Sequence, residues 1–69
     1  MKQRVRIEGM MCAHCEAHMR KALAALPGVT VESVSHTENC AVIEAAAQVA
    51  ESVLRETVTA AGYTFRGTE

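Results

Sequence analysis

Arg4-Val5-Arg6-Ile7-Glu8, followed by Gly9-Met10-Met11-Cys12-Ala13-His14-Cys15, decides the fold, because the hydrophobic period changes within it. Residues 4–8 alternate charged and apolar, the pattern of a strand with one face buried. Gly9 ends that alternation. From Cys15 onward, Met19, Ala22, Leu23 and Leu26 recur at helical spacing, with Glu16, Arg20 and Lys21 off the stripe. Pro27-Gly28 stops this first helix near Leu26. A strand, an exposed loop and a helix therefore meet around a pair of cysteines.

Working outward, Val29–Ser35 reads as a second strand, although Val31 and Val34 have opposite parity and leave its inward face open. His36-Thr37-Glu38-Asn39 is a polar turn, and Cys40–Ala45 reads as a third strand. A second helix is predicted over about Ala50–Ala61, with Leu54, Val58 and Ala61 on one face and no good cap at Ala50. Gly62 closes it, and Tyr63–Arg66 forms a short last strand. The order β-α-β-β-α-β predicts an α+β, ferredoxin-like open-faced sandwich: a four-stranded antiparallel sheet with two helices on one face. If the first strand runs up, the cysteine loop, the turn at residues 36–40 and Gly62-Tyr63 share one end.

The 69 residues predict a single domain, 1–69, with a modest core built from Val, Ile, Leu, Met and Ala, since Tyr63 and Phe65 are its only aromatic residues. So little material disfavours a deep substrate pocket and favours a binding module. The net charge of −1 argues against a nucleic-acid binder. Residues 1–21 carry +3 and residues 22–69 carry −4, so the basic first third is either a docking feature for an acidic partner or an ordinary solvated surface. No apolar run approaches the roughly 18 residues of a membrane span, and residues 1–8 lack a signal-peptide pattern. Three cysteines, an odd number, suit a reducing compartment and a thiolate site better than a disulfide framework, so the expected location is cytoplasmic.

Cys12 would lie in the loop and Cys15 in the first helical turn, where unpaired N–H groups and the helix dipole favour thiolates. Two thiolates and little else suit a soft ion of low coordination number, Cu(I) before Zn(II). A structural zinc site would want typically four protein ligands, and a second pair is missing.

With Gly9-Met10 before the C-x-x-C, the strand–loop–helix context, the Leu26-Pro27-Gly28-Val29 helix exit and Ala61-Gly62-Tyr63, the chain resembles the heavy-metal-associated family: copper chaperones and the amino-terminal metal-binding domains of copper-transporting P-type ATPases. Gly9, Met10, Cys12 and Cys15 match its Gly-Met-x-Cys-x-x-Cys pattern. The resemblance implies a βαββαβ fold, a Cu(I) ion held by Cys12 and Cys15, and docking between chaperone and ATPase domains with metal passed by thiolate exchange. It also implies that Met10 packs beneath the loop, and Tyr63 resembles the bacterial copper members. Met11 stands where Thr or Ser is usual, and Cys40 is an addition.

The remaining donors carry bland readings beside sharp ones. Met11 is an exposed loop residue or a third soft contact. His14 and His18, four apart, are solvated or a divalent-metal pair. Tyr63 either hydrogen-bonds near the site or packs under the loop. Cys40 is a free thiol or core-edge residue, with a third-ligand role geometrically conceivable. Two such loops facing each other could also share Cu(I) in a metal-bridged dimer. Zn(II), Cd(II) or Hg(II) on the same fold is the alternative cargo, although the resemblance leads zinc members to place a carboxylate beside the cysteines. None stands between Gly9 and Cys15; Glu16 follows at once. A periplasmic mercury scavenger would carry an export signal. A thiol–disulfide oxidoreductase is less favoured, because the chain is short for a thioredoxin-like fold and Ala13-His14 lacks the proline of such motifs.

Overall fold

The computed structural model describes all 69 residues. Six elements follow one another: β1 (Lys2–Glu8), α1 (Ala13–Ala24), β2 (Val29–Ser35), β3 (Cys40–Ala45), α2 (Glu51–Ala60) and β4 (Thr64–Thr68). The sheet order is β2-β3-β1-β4 with every neighbouring pair antiparallel. This is the ferredoxin-like sandwich expected from the element order. The alternation of β1 extends two residues further toward the N-terminus than residues 4–8. α1 begins two residues before Cys15 and ends two before Leu26, and β4 starts after Tyr63 and runs on to Thr68.

In β1, Gln3, Val5 and Ile7 point to the helices while Lys2, Arg4, Arg6 and Glu8 face water. Val5, Ile7, Met10, Met19, Leu23, Ala41, Ile43, Leu54 and Val58 form one core cluster between the sheet and the two helices. Burying such side chains contributes about 1.5–3 kcal/mol each before chain entropy is set against it. The buried polar side chain, Gln3, is satisfied at both ends by the backbone of Val49. Its Nε2 donates to the carbonyl at 3.2 Å and its Oε1 accepts from the N–H at 2.8 Å. That pair fastens the β3–α2 connection to the central strand.

The parity conflict in β2 is resolved by a bulge. Val31 pairs with Ile43 and Val34 with Ala41, with a register shift between Val31 and Ser33. The extra residue flips the alternation once, so both valines pack against the core. The opposite face of the sheet carries ion pairs in water: Lys2–Glu32, Arg4–Glu69, Arg6–Glu69 and Arg66–Glu8. Exposed pairs of this kind contribute little to stability; they keep this face polar.

Candidate metal centre

The chain leaves β1 through Gly9, whose φ of 104° is a conformation side chains resist. A Cβ there would also lie 3.5 Å from the ring of Tyr63. Met10 then turns inward, only 4 % exposed and part of the core cluster, while Met11 is 83 % exposed. Cys12 is the N-cap of α1 in an extended conformation, and its side chain makes no capping hydrogen bond. Its carbonyl accepts from the N–H groups of Cys15 at 3.0 Å and Glu16 at 3.2 Å, which starts the helix. A Ser or Asp at this position would spend its side-chain oxygen on the helix; the thiol stays free to point outward.

The two sulfurs lie 3.8 Å apart, Cys12 exposed and Cys15 half-buried against the core. Metal–sulfur bonds of about 2.3 Å would separate two sulfurs by about 3.8 Å at a tetrahedral angle and about 4.6 Å when collinear. One ion therefore fits between them, and the exposed Cys12 side chain has room to open the pair. No third His, Cys, Asp or Glu side chain joins them.

Cys15 is the prepared thiol. Its pKa falls from 9.0 to about 7, chiefly because the backbone at Met11 hydrogen-bonds the sulfur, and next because the Tyr63 hydroxyl does so. The hydrogen bonds come from the loop backbone leading into the helix, at Met11 and the N-cap Cys12, and from the Tyr63 and Cys12 side chains. The same contact pushes the Tyr63 phenol up, since the hydroxyl keeps its proton while donating to Cys15.

The end of α2 explains how Tyr63 arrives there. Gly62, with φ of 95°, lets the chain reverse so that its N–H donates to the carbonyl of Thr59 at 3.0 Å and that of Tyr63 to Val58 at 3.1 Å. This Schellman arrangement delivers the residue after the glycine back over the β1–α1 loop. Tyr63→Phe should keep the ring and lose the donor. The pH midpoint for iodoacetamide alkylation of Cys15 should then move upward, and the rate at pH 7 should fall severalfold. An unchanged profile would mean that the hydroxyl does not act on the sulfur.

Glu16 and His36 were not singled out as a pair from sequence. The Glu16 carboxylate accepts from the backbone N–H of His36 at 2.7 Å and from its Nδ1 at 2.5 Å, tying the first turn of α1 to the β2–β3 turn. These bonds hold the Glu16 carboxyl below its usual range, the backbone N–H contributing most. The one available signal was topological, since that turn and the cysteine loop share one end of the sheet. His14 and His18 are both exposed, and the His18 ring stands edge-on to Tyr63 with centroids 6.1 Å apart.

Cys40 does not join the loop. It pairs with Arg6 across β1 and β3, on the solvent side of the sheet, beside Arg4, Glu38 and Glu69. Its conceivable role as a third ligand fails on geometry, because the sheet itself separates it from the helix side. Cys40→Ser should leave Cu(I) affinity unchanged in a chelator competition; a measurable loss would contradict this placement.

The chain matches the heavy-metal-associated domain family over residues 4–64, and it belongs to that family. It is 37 % identical over 68 residues to a copper-transporting ATPase 2 of Rhizobium meliloti (strain 1021), covering 97 % of this chain and 8 % of that protein. It is 40 % identical over 57 residues to a mercuric reductase of Acidithiobacillus ferrooxidans, covering 83 % of this chain and 10 % of that one. The chain thus spans a tenth or less of these relatives. Among solved structures, a CopZ metallochaperone superposes with a TM-score of 0.85 at 25 % identity, covering 96 % of this chain and all of the other. A copper-binding domain from HMA7, a P-type ATPase, gives 0.82 at 29 % identity, covering 100 % and 99 %. The chain is thus a heavy-metal-associated domain whose fold is shared by a metallochaperone and by a domain of a P-type ATPase. No helix is long and apolar enough to cross a membrane.

Proposed function

We propose that Cys12 and Cys15 hold one soft ion, Cu(I) foremost, and pass it to or from a partner domain by thiolate exchange, with no catalysis by this chain. The observation that carries this reading is two free thiols 3.8 Å apart with no third His, Cys, Asp or Glu side chain joining them. A partner thiolate forms its bond to the under-coordinated ion first. The exposed Cys12, the thiol a partner reaches first, then leaves, and the half-buried Cys15 leaves last. The ion is cargo and is never free. The partner is a copper-transporting P-type ATPase or chaperone domain presenting its own thiol pair, and the odd number of cysteines supports a reducing, cytoplasmic setting for the exchange. The largest surface depression, about 440 Å³ between Arg6, Glu8, Glu38, Asn39 and Arg66, includes neither thiol, which fits a surface ligand site better than a substrate cavity.

The test is an anaerobic Cu(I) titration against a competing chelator, run beside Zn(II). Tight one-to-one Cu(I) binding supports the reading, and preference for Zn(II) sinks it. The mercuric reductase relative supports a second cargo, since Hg(II) is equally thiophilic. An Hg(II) arm in the same titration decides which ion the pair prefers. A reductase assay on a protein disulfide should show no turnover.

A further inference from the structure

Glu16 is the carboxylate nearest in sequence to the thiol pair, and its place on α1 makes its orientation matter. It lies four residues after Cys12, with its N–H on the Cys12 carbonyl at 3.2 Å. That bond sets the Glu16 backbone against the N-cap Cys12, and Glu16 directly follows Cys15, so a glutamate side chain released from its present partners starts beside the thiol pair. An oxygen ligand matters unequally to different ions. Zn(II) takes carboxylate oxygen readily and wants typically four ligands, whereas Cu(I) is satisfied by few soft donors.

The carboxylate is not free. His36 donates to one oxygen, Oε2, from both its backbone N–H and Nδ1, and the two side chains are about one-third exposed or less, at 32 % for His36 and 27 % for Glu16. We propose that His36 is a specificity-determining residue: by holding Glu16 against the β2–β3 turn it withholds the one nearby carboxylate from the thiol pair, so that the site offers Zn(II) too few ligands and leaves Cu(I) unaffected. The inference rests on the reading of Cys12 and Cys15 as the metal ligands. It gives the β2–β3 turn, which carries no ligand, control over which ion is bound.

The experiment measures Zn(II) and Cu(I) affinities by chelator competition for the wild type, His36→Pro, His36→Ala, Glu16→Gln and the two double variants. His36→Pro removes both donors, and His36→Ala removes the ring while leaving the N–H. Zn(II) affinity should rise about tenfold or more in His36→Pro, since one ligand of a four-ligand zinc site is worth up to about a hundredfold, and by less in His36→Ala. Adding Glu16→Gln should erase both gains, which assigns them to Glu16 and not to His14 or His18. Cu(I) affinity should stay level throughout. Circular dichroism checks that each variant is folded, and His36→Ala keeps the test intact should the proline disturb the turn. Unchanged Zn(II) affinity in the folded His36 variants overturns the proposal. So does a loss of Zn(II) affinity in Glu16→Gln alone, since Glu16 would then already be reaching the ion. A Cys12→Ser arm separates the two levels: if Cys12→Ser leaves both affinities intact, the metal reading itself fails.

Discussion

Cys12→Ser should abolish tight one-to-one Cu(I) binding while leaving the fold in place. Structural zinc sites with four ligands have binding free energies of about 10–16 kcal/mol, or about 3 kcal/mol for each ligand. On that scale a single thiolate is worth on the order of a hundredfold in affinity, and a site with only two has none in reserve. Cys12 is exposed, caps nothing with its side chain and packs on nothing in the core, so serine should cost the fold little. Cys15→Ser should fall equally far in affinity but also lose the Tyr63 contact and some packing. Proton release gives an independent check. Metal must displace the Cys15 proton below about pH 7 but not well above it, so protons released per Cu(I) should fall as pH rises through that value. Tyr63→Phe should move that change to higher pH. Retention of tight binding in Cys12→Ser would point the site elsewhere.

The fold was legible because the sequence punctuates itself at each change of period. Gly9, Pro27-Gly28, the 36–39 turn and Gly62 bound the elements within about two residues of where they fall. The face of β2 was not, because a bulge shifts parity without any local composition signal: Val31 and Val34 look contradictory until Glu32 is taken as the extra residue. Cys40 was ambiguous for a different reason. Cys40-Ala41-Val42-Ile43 is continuously apolar, so alternation could not say which side each faces until the Arg6 pairing did. Within the candidate site, the thiol pair could be read from local context, whereas the burial of Met10 followed from the family resemblance and Met11 stood open between an exposed residue and a third contact. The hydroxyl of Tyr63 on Cys15 and the Glu16–His36 tie join residues 48 and 20 positions apart. Contacts of that span depend on how loops are delivered by helix ends and turns, which periodicity does not encode.

Leu23→Ala should bring the metal-free domain close to unfolding. Leu23 is fully buried on the core face of α1, beside Met19, and removing such a side chain costs about 2–5 kcal/mol. At about 0.05–0.15 kcal/mol per residue, a chain of this length has only about 3–10 kcal/mol in total. At about 4–8 °C per kcal/mol for a domain of this size, the melting temperature should drop by about 10 °C or more in a far-ultraviolet circular dichroism melt. Arg4→Ala on the solvent face, where the pair to Glu69 is exposed, should shift it far less. Cu(I) adds a second lever, because an ion that binds only the folded chain stabilises it by about 2.7 kcal/mol at a hundred times its dissociation constant. The destabilised variant should therefore regain its helix signal when Cu(I) is added, and Leu23→Ala combined with Cys12→Ser should not. Rescue that survives loss of Cys12 would separate the metal effect from the thiol pair. Rescue that depends on it would show that one helix, carrying Cys15 at its first turn and Leu23 near its last, couples cargo binding to the core.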